Sequence, residues 1–523
     1  MEDSEEKLHG NLKRIAKTSL IVLMGLILSK ILGYTYRVVI ARSLGPEAYG
    51  LYSLAIMILG WFGAISSWGF AEGVLRFIPL YRGKKELEKI RYLLKFSIWA
   101  SIISSIISGA LMFFLAEFIS INLFHNPSLM FFIQIFSILV PCSVLAGIML
   151  SVIRAYEQIS SYSFIFNILQ NIIKVGSLLL LLYLGFYNNA VIFSHFFGIL
   201  VMLIAAYLTA KYKISEAFAK PRISKSGKSK TRLDLFTYSW PIVFISIVGS
   251  IFYWIDSISI GYFQDAIQVG VYNAAVPLAA LLAIAPELFM QLFFPLIIRE
   301  YSRKNMGLIK QLSQQVGKWI FILNLPLFIM IFLFPGAFLN ILFGSQYLAA
   351  ENALRFLIMG SFISSMSIIS SNLLSMIGKS KILLMNISLS AILNFLLNLY
   401  LVPRYGINGA SVATMICSVI LALMFFLEAR HYTSIIPLRR KMLTILLSAA
   451  VPTFIFILAR PYLSINLASI ALLGIVFTLI YAGLILLTKS LDKNDMFLLD
   501  SIKRKFSFLK LGNYSGEVSE DLN

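Results

Sequence analysis

From position 18 to position 488 the chain is a succession of long apolar runs separated by short polar connections. The apolar positions are continuous within each run and do not alternate. A run of about 20 apolar residues is long enough to cross the hydrocarbon core as a helix. A barrel strand would show apolar and polar residues in alternation, so a β-barrel is excluded. In lipid the remaining way to satisfy every backbone group is the helix. The runs predict fourteen spans, near 18–41, 48–78, 91–117, 128–153, 160–184, 189–211, 234–262, 269–298, 308–334, 349–377, 380–402, 407–429, 441–460 and 464–488. The predicted class is an all-α integral membrane protein with about fourteen transmembrane helices. The first run is too long for a cleaved leader and reads as a retained anchor.

The pattern repeats. "ARSLGPEAYGLYSLA" follows the first span and "GYFQDAIQVGVYNAA" follows the seventh. Tyr49-Gly50-Leu51-Tyr52 aligns with Val269-Gly270-Val271-Tyr272 at an offset of 220 residues. Phe77-Ile78-Pro79-Leu80 aligns with Phe293-Phe294-Pro295-Leu296, and "YLGFYNNA" aligns with "RYGINGA". Spans one to six and seven to twelve therefore read as two copies of one six-helix unit in the same orientation. Parallel repeats of this kind are a transporter pattern, with the substrate between the lobes. The expected division is a tail 1–17, an N-lobe 18–211, a basic linker 212–233, a C-lobe 234–430, two added spans 431–488 and a polar tail 489–523. Both halves of a central cavity lie in one chain, so a monomer is sufficient.

Composition sharpens this reading. Hydrophobic residues make up 59% of the 523 positions and charged ones 13%, about half the share in a soluble domain. The net charge of +20 could point to nucleic acid, but its placement points to membrane topology. The basic residues crowd into alternate connections: "YRGKKELEKIR", "KPRISKSGKSKTR", "REYSRK", "RHYTSIIPLRRK" and the two tails. The opposite connections hold Arg42, Arg404 and Arg460. With the positive side inside, both termini are cytoplasmic in the cell membrane. The charge then serves topology and contact with anionic lipid, and no nucleic-acid partner is expected. Cys142 and Cys417 both lie in apolar runs and read as small core residues. No metal site is expected.

Catalytic chemistry finds little support. "SGKS" and "IGKS" lack the glycine five residues upstream that a phosphate-binding loop needs, having Arg222 and Leu373 there. The outer connections are short and carry no acidic pair of the kind a membrane glycosyltransferase uses. His9, His125, His195 and His431 are scattered, and His195 reads as a satisfied core histidine. The chain is expected to be a transporter without a cofactor, not an enzyme.

The chemistry sits inside the spans, where a charge costs roughly 2.5–3.5 kcal/mol and usually faces a bundle interior or watery cavity. Lys30, Tyr34 and Arg37 are spaced to share one face of span one. Glu72 and Arg76, at i and i+4 in span two, are close enough to pair, and the Gly69…Gly73 spacing admits a neighbouring helix closely. Asn167, Gln170, Asn171 and Lys174 form a polar stripe on span five. In the second copy the register sets Asp256 opposite position 36, Glu287 beside the Glu72 equivalent, and Asn394 opposite Lys174, with Asn398 one turn on. The N-lobe thus offers cations and the C-lobe carboxylates and amides. The expectation is an anionic substrate held in the N-lobe, and a coupling cation held among Asp256, Glu287, Asn394, Asn398 and Thr414. Arg37 and Arg76 could instead snorkel to the interfaces, and Glu72–Arg76 could be a purely structural pair.

"ARSLGPEAYGLYSLA" followed by "FAEGVLRFIPLYRGKKE" resembles the N-terminal half of polysaccharide flippases of the multidrug/oligosaccharidyl-lipid/polysaccharide exporter superfamily, most of all the O-antigen and teichoic-acid branch. "FAEG" followed by a proline is similar, more distantly, to the lipid II flippases. The resemblance implies alternating access, carrying a polyprenyl-(pyro)phosphate-linked oligosaccharide from the inner to the outer leaflet for surface glycan assembly, with membrane lipids and glycan-assembly enzymes as partners. It assigns Lys30, Arg37, Arg76 and Lys174 to the phosphates, and Tyr34, Asn167, Gln170 and Asn171 to sugars. Some relatives bind sodium among helices seven, eleven and twelve, where Asp256, Asn394 and Thr414 lie, so sodium or a proton would be the coupling ion. A drug/organic-cation antiporter of the same superfamily and a non-transporting scaffold of a glycan-assembly complex are the other readings.

Overall fold

The computed structural model describes residues 2–222, 224–459, 467–488 and 490. Among them the elements are helical: α1 (Glu2–Ser67), α2 (Phe70–Gly83), α3 (Leu87–Phe114), α4 (Ser128–Ala155), α5 (Ile159–Tyr183), α6 (Asn188–Lys213), α7 (Lys225–Phe263), α8 (Ala266–Ala280), α9 (Ile284–Ser302), α10 (Met306–Leu333), α11 (Pro335–Leu342), α12 (Glu351–Met376), α13 (Ser380–Thr433), α14 (Lys441–Ala459) and α15 (Leu467–Leu487). Among the described residues, twelve stretches are long and apolar enough to cross a membrane. Two of these hold two predicted spans each, which accounts for the fourteen. α1 runs through the first connection and bends at Gly45 (φ 82°), and α13 runs through the eleventh and bends at Gly406 (φ 55°). Only glycine adopts such angles without strain. The equivalent connections in the other copy are true breaks, at Gln264–Asp265 and at Leu184–Tyr187.

Span two differs from the prediction. The helix ends at Ser67, and Trp68 and Gly69 take left-handed angles (φ 49° and 66°) before α2 starts. Gly69 and Gly73 face α7: a side-chain carbon at Gly69 would lie 2.7 Å from the Ser239 carbonyl oxygen, and one at Gly73 2.6 Å from the Ser239 hydroxyl. The close approach expected of this glycine pair is thus made by α7. Span five contains a π-helical turn over Phe164–Leu169, the kind of bulge that accompanies functional sites.

The chain forms two compact units. The first comprises residues 1–281, 338–361 and 384–421. Its core includes Phe70, Ile78, Leu93, Ile148, Val152 and Ala206, all nearly inaccessible. Within it α1 and α8 cross with their backbones in contact. A side chain on Gly50 would strike the Ala266 carbonyl, and one on Gly270 would strike the Pro46 carbonyl. The second unit comprises residues 282–337, 362–383 and 422–523. Its core is built on Ile297, Ile309, Ile320, Ile369 and Leu373. There Asn324 on α10 donates to the Leu282 carbonyl at 2.9 Å, and the Tyr481 hydroxyl on α15 donates to the Ile322 carbonyl at 3.4 Å.

Candidate functional site

The functional candidates gather in the first unit as two polar clusters. The first is centred on Asp256 of α7. Tyr272 of α8 donates its hydroxyl hydrogen to Asp256 Oδ2 at 2.5 Å, and Thr414 of α13 donates to the same oxygen at 2.6 Å. Asn398 Nδ2 donates to Asp256 Oδ1 at 2.9 Å and to Asn394 Oδ1 at 3.0 Å. Asn394 Nδ2 completes the ring by donating to Thr414 Oγ1 at 3.1 Å. Four of the five predicted ion ligands therefore lie in one network. The fifth, Glu287, stands half-buried on α9 in the second unit.

One acceptor in the network is left over. Asn398 is fully buried, yet its Oδ1 has no hydrogen-bond partner, and an unpaired buried acceptor costs about 1–3 kcal/mol. A carboxylate, two carboxamide oxygens and two hydroxyl oxygens, with one carboxamide oxygen orphaned, are hard oxygen donors. Such a donor set fits a small hard cation.

The second cluster surrounds Lys174. Asn171 Nδ2 donates to Ser29 Oγ of α1 at 3.1 Å, and Asn167 Nδ2 donates to Ser163 Oγ at 3.1 Å. The first bond ties α5 to α1 just after the π-turn, and the second spans the π-turn within α5. The polar stripe read on span five therefore faces α1 over part of its length. The Gln170 side chain makes no hydrogen bond with a described residue. The Lys174 stem lies against Gly198 of α6, where any side chain would collide with it. Its ammonium is within electrostatic reach of Arg37 and His195, and has no hydrogen-bond or ion-pair partner among the described residues. Arg37 is half-buried among Tyr34, Tyr49, Tyr52 and Tyr253. Lys30, also half-buried, stands two turns before it.

Next to this cationic patch Tyr36 and Ser194 share a hydrogen bond of 2.8 Å, and Tyr36 meets Tyr52 edge-on at 5.6 Å. His195 is buried, hydrogen-bonded to Tyr52 at 3.3 Å and stacked on Phe136, a satisfied core histidine as expected. The two clusters are joined through Asn273 of α8. Its carbonyl accepts from Tyr49 at 3.1 Å, and its Nδ2 donates to Ser257 Oγ, beside Asp256, at 3.0 Å.

Two expectations need correction. Glu72 and Arg76 form no ion pair; both are exposed on α2. The break at Trp68–Gly69 puts Glu72 in the first turn of a new helix, where free amides favour a carboxylate. Arg76 turns to the Tyr238 ring instead, at 4.0 Å, a cation–π contact that holds it at the α7 surface. The second correction concerns the membership of the clusters: Tyr272, Tyr36 and Ser194 belong to them, and the sequence pattern does not single these residues out. A tyrosine among many in an apolar run carries no polar signal; only the 220-residue offset pairing Tyr52 with Tyr272 could flag it.

A helical fold of this kind, with polar clusters buried in its spans, has known counterparts. The fold matches the solved structure of the lipid II flippase MurJ in an inward closed conformation, with a TM-score of 0.67 and 18% identity over 89% of this chain and 98% of that one. It also matches an inward-facing multidrug resistance MATE family transporter of the MOP superfamily, with a TM-score of 0.60 and 16% identity over 79% of this chain and 98% of that one. The chain has the fold of multi-pass membrane transporters.

The model for "Polysaccharide biosynthesis protein" matches residues 15–299, and the chain belongs to that family. The MatE model matches residues 241–400. A putative O-antigen transporter of Shigella flexneri is 24% identical over 399 residues, 74% of this chain and 90% of that protein. The lipid II flippase MurJ of Bacillus subtilis is 22% identical over 475 residues, 83% and 87% respectively. A probable low-salt glycan biosynthesis flippase, Agl15, of Haloferax volcanii is 25% identical over 273 residues, 52% and 55%.

Proposed function

We propose that the chain moves a polyprenyl-(pyro)phosphate-linked oligosaccharide from the inner to the outer leaflet of the cell membrane, by alternating access, for assembly of a surface glycan. The observation that carries this is the Lys174 ammonium, a charge inside an apolar span with no ion-pair partner among the described residues. Together with Arg37 it offers a concentrated positive charge where a phosphate group would be held by charge-assisted hydrogen bonds. Tyr34, Asn167, Gln170 and Asn171 on the same faces serve the sugars. Lys30 and Arg76 would guide the phosphates, and the polyprenyl tail would stay in lipid. The relatives named for O-antigen transport and glycan flipping support the same substrate class. In this reading both termini are cytoplasmic, as the placement of basic residues requires, and residues 212–233 link the two lobes.

Transport is coupled to a cation, sodium or a proton, taken by the Asp256 cluster. Its support is the donor set itself and the orphaned Asn398 oxygen. A second reading, antiport of an organic cation, draws on the MatE match over residues 241–400. The partnerless cation in the N-terminal half speaks against it, since an organic cation would be repelled there.

The test is a leaflet assay. Cells lacking the chain are expected to accumulate complete glycan-lipid that a membrane-impermeant glycan-cleaving enzyme cannot reach. Wild type restores access; Lys174→Ala does not. Normal access without the chain, in cells shown to hold no redundant carrier, would overturn the proposal. Uptake of an organic cation in exchange for sodium, with glycan-lipid unmoved, would establish the second reading.

A further inference from the structure

The two clusters of the first unit occupy the same positions of the repeat. At an offset of 220 residues, Tyr36 corresponds to Asp256, Tyr52 to Tyr272, Lys174 to Asn394 and Ser194 to Thr414. The contacts correspond as well. The 2.6 Å bond of Thr414 to Asp256 is matched by the 2.8 Å bond between Ser194 and Tyr36. The bond from Tyr272 to Asp256 is matched by the edge contact of Tyr52 with Tyr36. One residue along, Asn273 donates to the carbonyl of Val269 at 2.9 Å, and its equivalent Ser53 donates to that of Tyr49 at 2.8 Å. Superposed on this shared scaffold are two exchanges of charge. The carboxylate of Asp256 becomes the neutral phenol of Tyr36, and the neutral amide of Asn394 becomes the ammonium of Lys174. A third exchange makes room for the longer side chain: Gly198 lies against the Lys174 stem, where its equivalent in the other copy is Ser418.

We infer that the Tyr36–Tyr52–Lys174–Ser194 cluster is the cation cluster of the second copy with its sign reversed, an anion subsite whose selectivity is set by positions 36 and 174 and whose occupant is the phosphate-type group of the substrate. This rests on the transport reading above and adds the residues that determine the sign. The physical reason is simple. Hydroxyl groups both donate and accept hydrogen bonds, so Tyr52, Ser194 and their equivalents can serve either sign. The net charge of the cluster then decides, and it is changed by one carboxylate removed and one ammonium added. No residue of the first copy within this set supplies a carboxylate, so a free metal cation has no seat there. Lys174 brings a fixed positive charge that an anion must answer.

The test uses the full chain in lipid nanodiscs, titrated calorimetrically with inorganic pyrophosphate and, separately, with sodium. Wild type is expected to bind one pyrophosphate. Lys174→Asn should weaken it by about tenfold or more, the loss of one charge-assisted contact, while leaving sodium binding unchanged. The double variant Tyr36→Asp with Lys174→Asn installs the second copy's ligands in the first. It should lose pyrophosphate and take up one more sodium ion than wild type, and that additional ion should survive Asp256→Asn. Unchanged pyrophosphate binding in Lys174→Asn would overturn the inference, as would a folded double variant that gains no sodium. If the double variant does not fold, the single variant decides. A wild type that flips glycan-lipid but whose pyrophosphate affinity ignores Lys174 would sink this inference alone, whereas a wild type that flips nothing would sink the transport reading.

Discussion

Asp256 and Lys174 are both charged side chains within spans of the same unit, and the fold treats them in opposite ways. Asp256 accepts three hydrogen bonds, from Tyr272, Thr414 and Asn398. The Lys174 ammonium makes no hydrogen bond or ion pair with a described residue. The first charge is stabilised by the protein itself, and one oxygen of Asn398 beside it is left without a partner. The second has no such partners among the described residues. A charge in an apolar span is therefore not informative by itself. What it is for depends on whether the fold has already satisfied it.

Removing the unsatisfied charge should give the largest functional effect. Lys174→Ala is expected to lower the flipping rate about a hundredfold, if the bound phosphate contact is worth about 3 kcal/mol. Its melting temperature should not fall, because no internal bond is lost. A large drop in melting temperature would break the comparison by showing that Lys174 is structural. Asp256→Asn should do the reverse. It sets an amide against three donors and should destabilise the fold by about 1–3 kcal/mol, read in thermal unfolding, while abolishing any dependence of transport on the cation. Unfolding at wild-type temperature with coupling intact would remove Asp256 from the ion site.

A smaller effect is expected at the joint between the clusters. Asn273→Ala removes the bond to Ser257 and should cost about 1 kcal/mol of stability. If the clusters communicate through α8, it should also weaken the influence of the cation on pyrophosphate affinity. Equal cation influence in wild type and variant would show that the two clusters act separately. The smallest effect is expected at Arg76, which does not meet its predicted partner. Its cation–π contact with Tyr238 is worth about 0.5–1 kcal/mol at an exposed site, so Arg76→Gln should change transport less than about fivefold. Glu72→Gln should shift the melting curve of wild type and of the Arg76 variant by the same amount, since the two side chains do not meet.

Much of this is legible in the amino-acid sequence. Apolar run length locates the fourteen spans because lipid demands it, and the register of the repeat singles out Asp256 on α7 and Asn394, Asn398 and Thr414 on α13. Three things stay hidden there, each for a physical reason. Whether a connection is a bend or a break depends on one residue's backbone angle, so Gly45 and Gly406 carry the helix through where the equivalent positions interrupt it. The i, i+4 rule that pairs Glu72 with Arg76 holds within a helix, but a cation can prefer a ring on a neighbour, as Arg76 prefers Tyr238. Tyr272 and Tyr36 are hydrogen-bonding residues disguised as apolar ones, and only a partner within hydrogen-bond reach reveals the hydroxyl's use.

The backbone crossing of α1 and α8 has a consequence for descent. Gly50 meets the carbonyl of Ala266 while Gly270 meets that of Pro46, and these four residues are two equivalent pairs of the repeat. A contact in which i touches j′ and i′ touches j is what two identical subunits form across a two-fold axis. The crossing thus has the form of an isologous dimer interface whose partners now share one polypeptide. Two copies joined in one chain can diverge without losing their fit to each other, since the glycines meet through backbone atoms that substitutions elsewhere do not alter. Opposite charges could then accumulate in the two halves, as no homodimer would allow.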